Sequence, residues 1–280
     1  MELIDFILNL AGLLLWVGWL SVRFDPVAKS LPATLAGTIR RAEPRGRSGW
    51  HFVAALVGLL LFRGLLYWQI GPAIDWTPSL GLGATAIFLR SDFLGRALLF
   101  SVLSFALALA VFYLWLLFLS LVNCRAAEAT PLQRLVRLHL GRIDAWSWPL
   151  KLVLPFLLGT LVWLTLMPLL TGWKIIPPAH SLAHRLEQAG TIGLGMYLRW
   201  KFLIGGLLVL YLLGSYVFLG NHPFWNFIAV TGRNALGPLC RLPLRVGKID
   251  LAPVVAIALV FLAAGLAERG LTALYQRLPL

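Results

Sequence analysis

Long apolar runs alternate with short basic stretches along this chain. Six runs approach or exceed the ~20 residues that a helix needs to cross a hydrocarbon core of about 30 Å. They are Leu3–Val22, Trp50–Ile70, Phe93–Val122, Pro149–Leu170, Tyr197–Leu219 and Leu251–Ala267. No water reaches the hydrocarbon to satisfy exposed amides, so the pattern predicts helices. The runs are continuous rather than alternating, which excludes a transmembrane barrel. The expected fold is all-α, a polytopic membrane protein of about six transmembrane helices. The third run is long enough to tilt or to project from the membrane.

One connector carries a helical pattern of its own. In Pro131–Leu140, Leu132, Leu135, Val136 and His139 recur at i, i+3, i+4, i+7, with Arg134 and Arg137 on another flank. This predicts a short amphipathic helix with a basic side, lying in the headgroup region. Gly237–Arg245 is a shorter version interrupted by Pro238 and Pro243.

Composition agrees with the pattern. The 280 residues are 60% hydrophobic and 12% charged, with a mean hydropathy of +0.85. Soluble domains are about 45–50% apolar and about 25% charged. The net charge of +13 is accounted for by short loops, not by a nucleic-acid surface. Arg23, Lys29, Arg40, Arg41, Arg45 and Arg47 follow the first run. Arg125, Arg134, Arg137, Arg142 and Lys151 follow the third; Arg233, Arg241, Arg245 and Lys248 follow the fifth. The positive-inside rule then places these connectors in the cytoplasm and both termini outside. Anionic lipid headgroups are the expected partners of such connectors.

The N-terminal run carries Glu2 and Asp5 where a signal peptide is basic, so it reads as a retained span. Cys124 and Cys240 fall in cytoplasmic connectors and form no CxxC motif. Many of the twelve tryptophans sit at run ends, as an interfacial aromatic belt requires.

A motif recurs just before two runs. Gly141-Arg142-Ile143-Asp144 precedes the fourth, and Gly247-Lys248-Ile249-Asp250-Leu251-Ala252-Pro253 opens the sixth. A second pair of landmarks, Leu89–Leu94 and Leu198–Leu203, repeats at nearly the same offset. The expected organisation is therefore three helix-pair units, 1–92, 93–195 and 196–280, related as parallel repeats. Within the motif, Gly141 and Gly247 would supply backbone angles closed to other residues. Asp144 and Asp250 would cap the helices that follow. Pro253 would sit in a first turn, where it costs no hydrogen bond. Arg142 and Lys248 would snorkel to phosphates.

Candidate chemistry is sparse. Arg63 is the one charge well inside a run, which makes it either a functional group or one paired with a carbonyl or hydroxyl of a neighbouring helix. No acidic residue is expected at its depth. His180 and His184, spaced i, i+4, read as one face of a solvated loop helix, with a metal site as the weaker alternative. No histidine lies mid-run to hold a haem, and no nucleophile–base pair or phosphate-binding glycine loop appears. No catalytic residue, metal or cofactor is expected.

The last unit resembles the YggT family of small bacterial and plastid membrane proteins. The resemblance rests on Asn221-His222-Pro223, then Pro238-Leu239-Cys240-Arg241, then Gly247-Lys248-Ile249-Asp250-Leu251-Ala252-Pro253. The second unit keeps Pro131, Arg134, Gly141, Ile143 and Asp144 but has no Asn-Pro. The resemblance implies a non-catalytic scaffold or assembly factor in a bacterial inner membrane. In different branches the family is linked to envelope and division, osmotic tolerance, and plastid cytochrome maturation. Its contacts here would be Arg134, Arg137, Arg142, Arg241, Arg245 and Lys248, toward lipid and a membrane-protein partner or a second copy. The alternative is a small transporter or channel, which the parallel repeats and Arg63 allow and the shortage of polar groups within the runs opposes.

Overall fold

The structure, a computed structural model, describes residues 1–23, 49–74, 76–83, 85–89, 93–124, 131–179, 181–217, 220, 222–237, 245–246 and 249–277. Among the described residues, six helical stretches are long and apolar enough to cross a membrane: Glu2–Val22, Trp50–Ile70, Leu94–Val122, Trp148–Gly172, Leu182–Tyr216 and Ala252–Arg277. The protein is all-α and polytopic, and strands contribute two short hairpins among the described residues.

Packing divides the chain into two compact units, 1–78 with 89–110, and 79–88 with 111–280. The divide falls inside a helix, α3 (Leu94–Val122), and does not follow the boundaries 92/93 and 195/196 of the sequence repeat.

In the first unit, α1 (Glu2–Arg23) and α2 (Trp50–Ile70) pack against the first part of α3. The pair α1–α2 is antiparallel. Gly18, late in α1, meets Phe52, early in α2; Asp5, early in α1, meets Arg63, late in α2. Small residues allow the close approach that drives helix association in lipid. A Cβ at Gly12 would lie 2.7 Å from the Phe105 ring. Ser101 Oγ on α3 donates to the Leu60 carbonyl of α2 at 2.8 Å.

The second unit holds α4 (Pro131–Leu140), α5 (Trp148–Gly172), α6 (Leu182–Gly195), α7 (Trp200–Tyr216), α8 (Pro223–Leu236) and α9 (Ala252–Arg277). Helices α5 and α6 touch backbone to backbone: a Cβ at Gly159 would lie 3.0 Å from Gly193 Cα. Leu207 and Leu208 of α7, Leu236 of α8 and Ala256 of α9 form a buried cluster with Leu119 of α3 packed on it. Hairpin β1–β2 (Ser79–Gly81, Ala86–Phe88) belongs to this unit.

Four expectations are corrected. The fifth span is not an isolated Tyr197–Leu219 helix. Helix α7 continues from α6 through a 3₁₀ turn at Met196–Arg199, and α6 is packed rather than solvated. His184 is buried on α6, and its Nε2 lies 2.7 Å from Gln188 Nε2; His180 lies outside the described residues. Helix α8 occupies sequence read as connector. His222 accepts from the Phe224 amide and Pro223 opens the first turn, so this is a helix start. Helix α4 forms as expected, but its inward face is Gln133, Val136 and Leu140, while Leu135 and Leu138 are exposed. The rotation brings Gln133 and Arg137 toward the bundle, for a reason given next.

Candidate functional site

Each unit contains a network of polar side chains. In the first, Arg63 is 1% exposed. Its Nη2 pairs with Asp5 Oδ1, its Nη1 donates to Asn9 Oδ1 at 2.7 Å, and its Nε donates to Tyr67 Oη at 3.1 Å. Tyr67 donates to Asp5 Oδ1 at 2.7 Å. Ser104 Oγ on α3 donates to Asp5 Oδ2 at 3.0 Å, and Asn9 Nδ2 also reaches Asp5 and Ser104. Asp5 thus accepts from three helices. A buried charge survives only when paired and hydrogen-bonded, and this network does both. The expectation that no acid lies at the depth of Arg63 is wrong: Asp5 is that acid.

In the second unit the centre is Asp144. It was expected to cap α5, but the N-cap is Ser147, which makes no side-chain capping bond. Asp144 lies in a 3₁₀ turn, Gly141–Ala145. It accepts from Ser120 Oγ, pairs with Arg137 Nε at 3.2 Å, and faces Lys151 Nζ at 3.7 Å. Lys151, 4% exposed, also donates to Ser120 Oγ at 2.8 Å. A buried ammonium near the start of α5 requires a counter-charge, and Asp144 supplies it. Asp144 also draws the Arg137 guanidinium of α4 toward this turn, which sets the rotation of α4. Gly141, at φ +54, makes the turn that carries Asp144 there.

Next to it, Asn123 Nδ2 donates to Thr231 Oγ1 at 3.0 Å, and Asn234 Nδ2 donates to Asn123 Oδ1 at 3.1 Å, tying α3 to α8. Between these groups lies a cavity of about 260 Å³. Ser120, Asn123, Gln133, Arg137, Asp144 and Lys151 contribute to its wall, with Cys124, Trp146 and Phe227. A larger hollow of about 620 Å³ lies under hairpin β1–β2. There Arg199 donates to the Gly81 carbonyl, and Lys201 pairs with Glu268 at 2.8 Å.

The other sequence candidates divide. Arg134 and Arg142 are exposed. Pro253 is buried in the first turn of α9, as expected. Asp250 is in strand β4 (Ile249–Asp250), which pairs with β3 (Arg245–Val246). The first backbone bond of α9 runs to Leu251, so the cap position is Leu251 rather than Asp250. The Ile-Asp pair of the motif therefore takes a 3₁₀ turn at Ile143-Asp144 and a strand at Ile249-Asp250. Gly247, Lys248 and Arg241 lie outside the described residues. No cluster of three or more His, Cys, Asp or Glu fit to hold a metal occurs among the described residues.

Comparisons with protein-family models, with curated proteins and with solved structures each return no match.

The sequence reading missed Asp5, Asn9, Tyr67, Ser104, Ser120 and Gln133. Each carries one polar group on an apolar helix or connector, a signal that pattern alone assigns to tolerated exceptions.

Proposed function

We propose that this chain is a multi-pass scaffold or assembly factor of a bacterial inner membrane, of the kind the YggT-like motifs imply. Its basic connectors lie on the cytoplasmic leaflet, both termini lie outside, and the connector side docks on lipid and on a membrane-protein partner. One observation carries the reading. The buried cations Arg63 and Lys151 are each closed by a carboxylate of the same chain, whereas Arg134 and Arg142 stand exposed on the connector. Charge inside the bundle is thus spent on holding helices, and charge on the connector is left for a partner. Bonding of Arg63 to Asp5, Asn9 and Tyr67 favours a structural role for that residue over one in transport.

The test is photo-crosslinking in native membranes from probes placed on α4. Replacing Arg134 and Arg142 by Gln should remove specific crosslinks while the protein stays inserted. An unchanged crosslinking profile would sink the docking reading. Ion flux in liposomes that is lost in Arg63→Ala would revive transport.

A further inference from the structure

The wall of the 260 Å³ cavity is chemically unbalanced. Two cations, Lys151 and Arg137, face it against one carboxylate, Asp144. The N-terminal end of α5 adds partial positive charge on the same side. Gln133 is 7% exposed, and its Oε1 has no hydrogen-bond partner among the described residues. A buried acceptor left unpaired is costly, so the site calls for a donor. The occupant that fits carries a negative charge and a hydroxyl or amine a few bonds away. At about 260 Å³ the cavity falls just below the ~300–1,000 Å³ of sites for drug-sized molecules, a size for a headgroup rather than a whole lipid. Trp146 on the rim and Trp148 just beyond are exposed, as side chains at headgroup level are.

We propose that this cavity binds the phosphodiester headgroup of an anionic glycerophospholipid. The phosphate lies against Lys151 and Arg137, and a headgroup hydroxyl donates to Gln133 Oε1. The proposal rests on the connector side lying at the headgroups, and it names a lipid class and a place for it. A cation is disfavoured by Lys151 and Arg137, and a choline headgroup offers no donor for Gln133.

The experiment is native mass spectrometry of the full chain in detergent, with phosphatidylglycerol and phosphatidylcholine of matched acyl chains. The wild type should retain phosphatidylglycerol well above phosphatidylcholine. Gln133→Glu, nearly isosteric, places a negative charge in the cavity and should lower phosphatidylglycerol retention by about tenfold, or about 1.4 kcal/mol. Lys151→Gln, which keeps a donor for Ser120, should lower it as well. Arg134→Gln with Arg142→Gln should retain it, because neither residue lines the cavity. Equal retention of the two lipids overturns the proposal whatever the variants do. So does full retention in a folded Gln133→Glu protein. Displacement of the lipid by an equal concentration of glycerol 1-phosphate would assign the site to a soluble phosphate ester and overturn the lipid. Loss of crosslinks in the Arg134 and Arg142 variant reports only on docking, so the two readings can fail separately.

Discussion

Arg63 on α2 is held by Asp5 on α1, 58 positions earlier in the chain. The carboxylate that neutralises this buried arginine comes from the first turn of the first span. Antiparallel packing makes this possible: a residue at the start of α1 and one near the end of α2 share a depth.

Removing one partner of this pair should therefore be worse than removing both. Arg63→Ala takes one donor from each of Asp5, Asn9 and Tyr67, leaves the Asp5 carboxylate without its counter-charge, and should cost about 3–5 kcal/mol. Asp5→Leu should be comparably damaging, because it strands the guanidinium. The double variant Asp5→Leu with Arg63→Met should recover most of the loss, since well-packed apolar residues replace buried ion pairs at little cost. Reversible unfolding in mixed micelles, run as a double-mutant cycle, measures this. Additive losses would show that the two residues do not act as a pair.

Much of the architecture is legible in the sequence, because hydrophobic length depends only on neighbouring residues. The predicted Trp50–Ile70 span and the Pro131–Leu140 helix appear with those same ends. What is not legible is which face turns inward. On α4, the periodic leucines argue for Leu135, but the pairing of Arg137 with Asp144 goes with a face of Gln133, Val136 and Leu140 turned inward. The same holds for Asp144 itself. Its place before a helix looks like a cap, and only the tertiary neighbours Ser120 and Lys151 show it to be a counter-ion. Helix α8 was lost because its 14 residues are too short to span, and length was the main signal in use.

Helix contacts in the second unit depend on missing side chains at chosen places. A Cβ at Gly193 would stand 2.8 Å from the Phe156 carbonyl and 2.5 Å from Thr160 Oγ1. Gly193→Ala should separate α5 from α6 and cost about 1–3 kcal/mol, as overpacking does. Gly206→Ala on α7 meets nothing within 4 Å and should stabilise by about 0.4–1 kcal/mol through helix propensity and chain entropy. Thermal unfolding of the two variants in one detergent should move in opposite directions.

Membrane orientation can be read from one thiol. Cys124 is a free, exposed cysteine just past the end of α3. In a Cys240→Ser background, a membrane-impermeant maleimide should label it in inverted vesicles and spare it in intact spheroplasts. Labelling of intact spheroplasts would reverse the topology and move the basic connectors outside, against the positive-inside rule.

Asp144→Asn separates the two roles available to that residue. Asparagine and aspartate are about equal as helix caps, so a capping residue would tolerate the change within a few tenths of a kcal/mol. A counter-ion would not. The amide keeps the shape but withdraws the negative charge facing Lys151, which is 4% exposed, and Arg137. Losing the charge opposite a buried ammonium should cost about 3 kcal/mol. Lys151→Met in the Asp144→Asn background should restore much of the stability, because the uncompensated charge is then gone. Restoration by Lys151→Met, measured by the same unfolding titration, is an outcome that a helix cap does not produce.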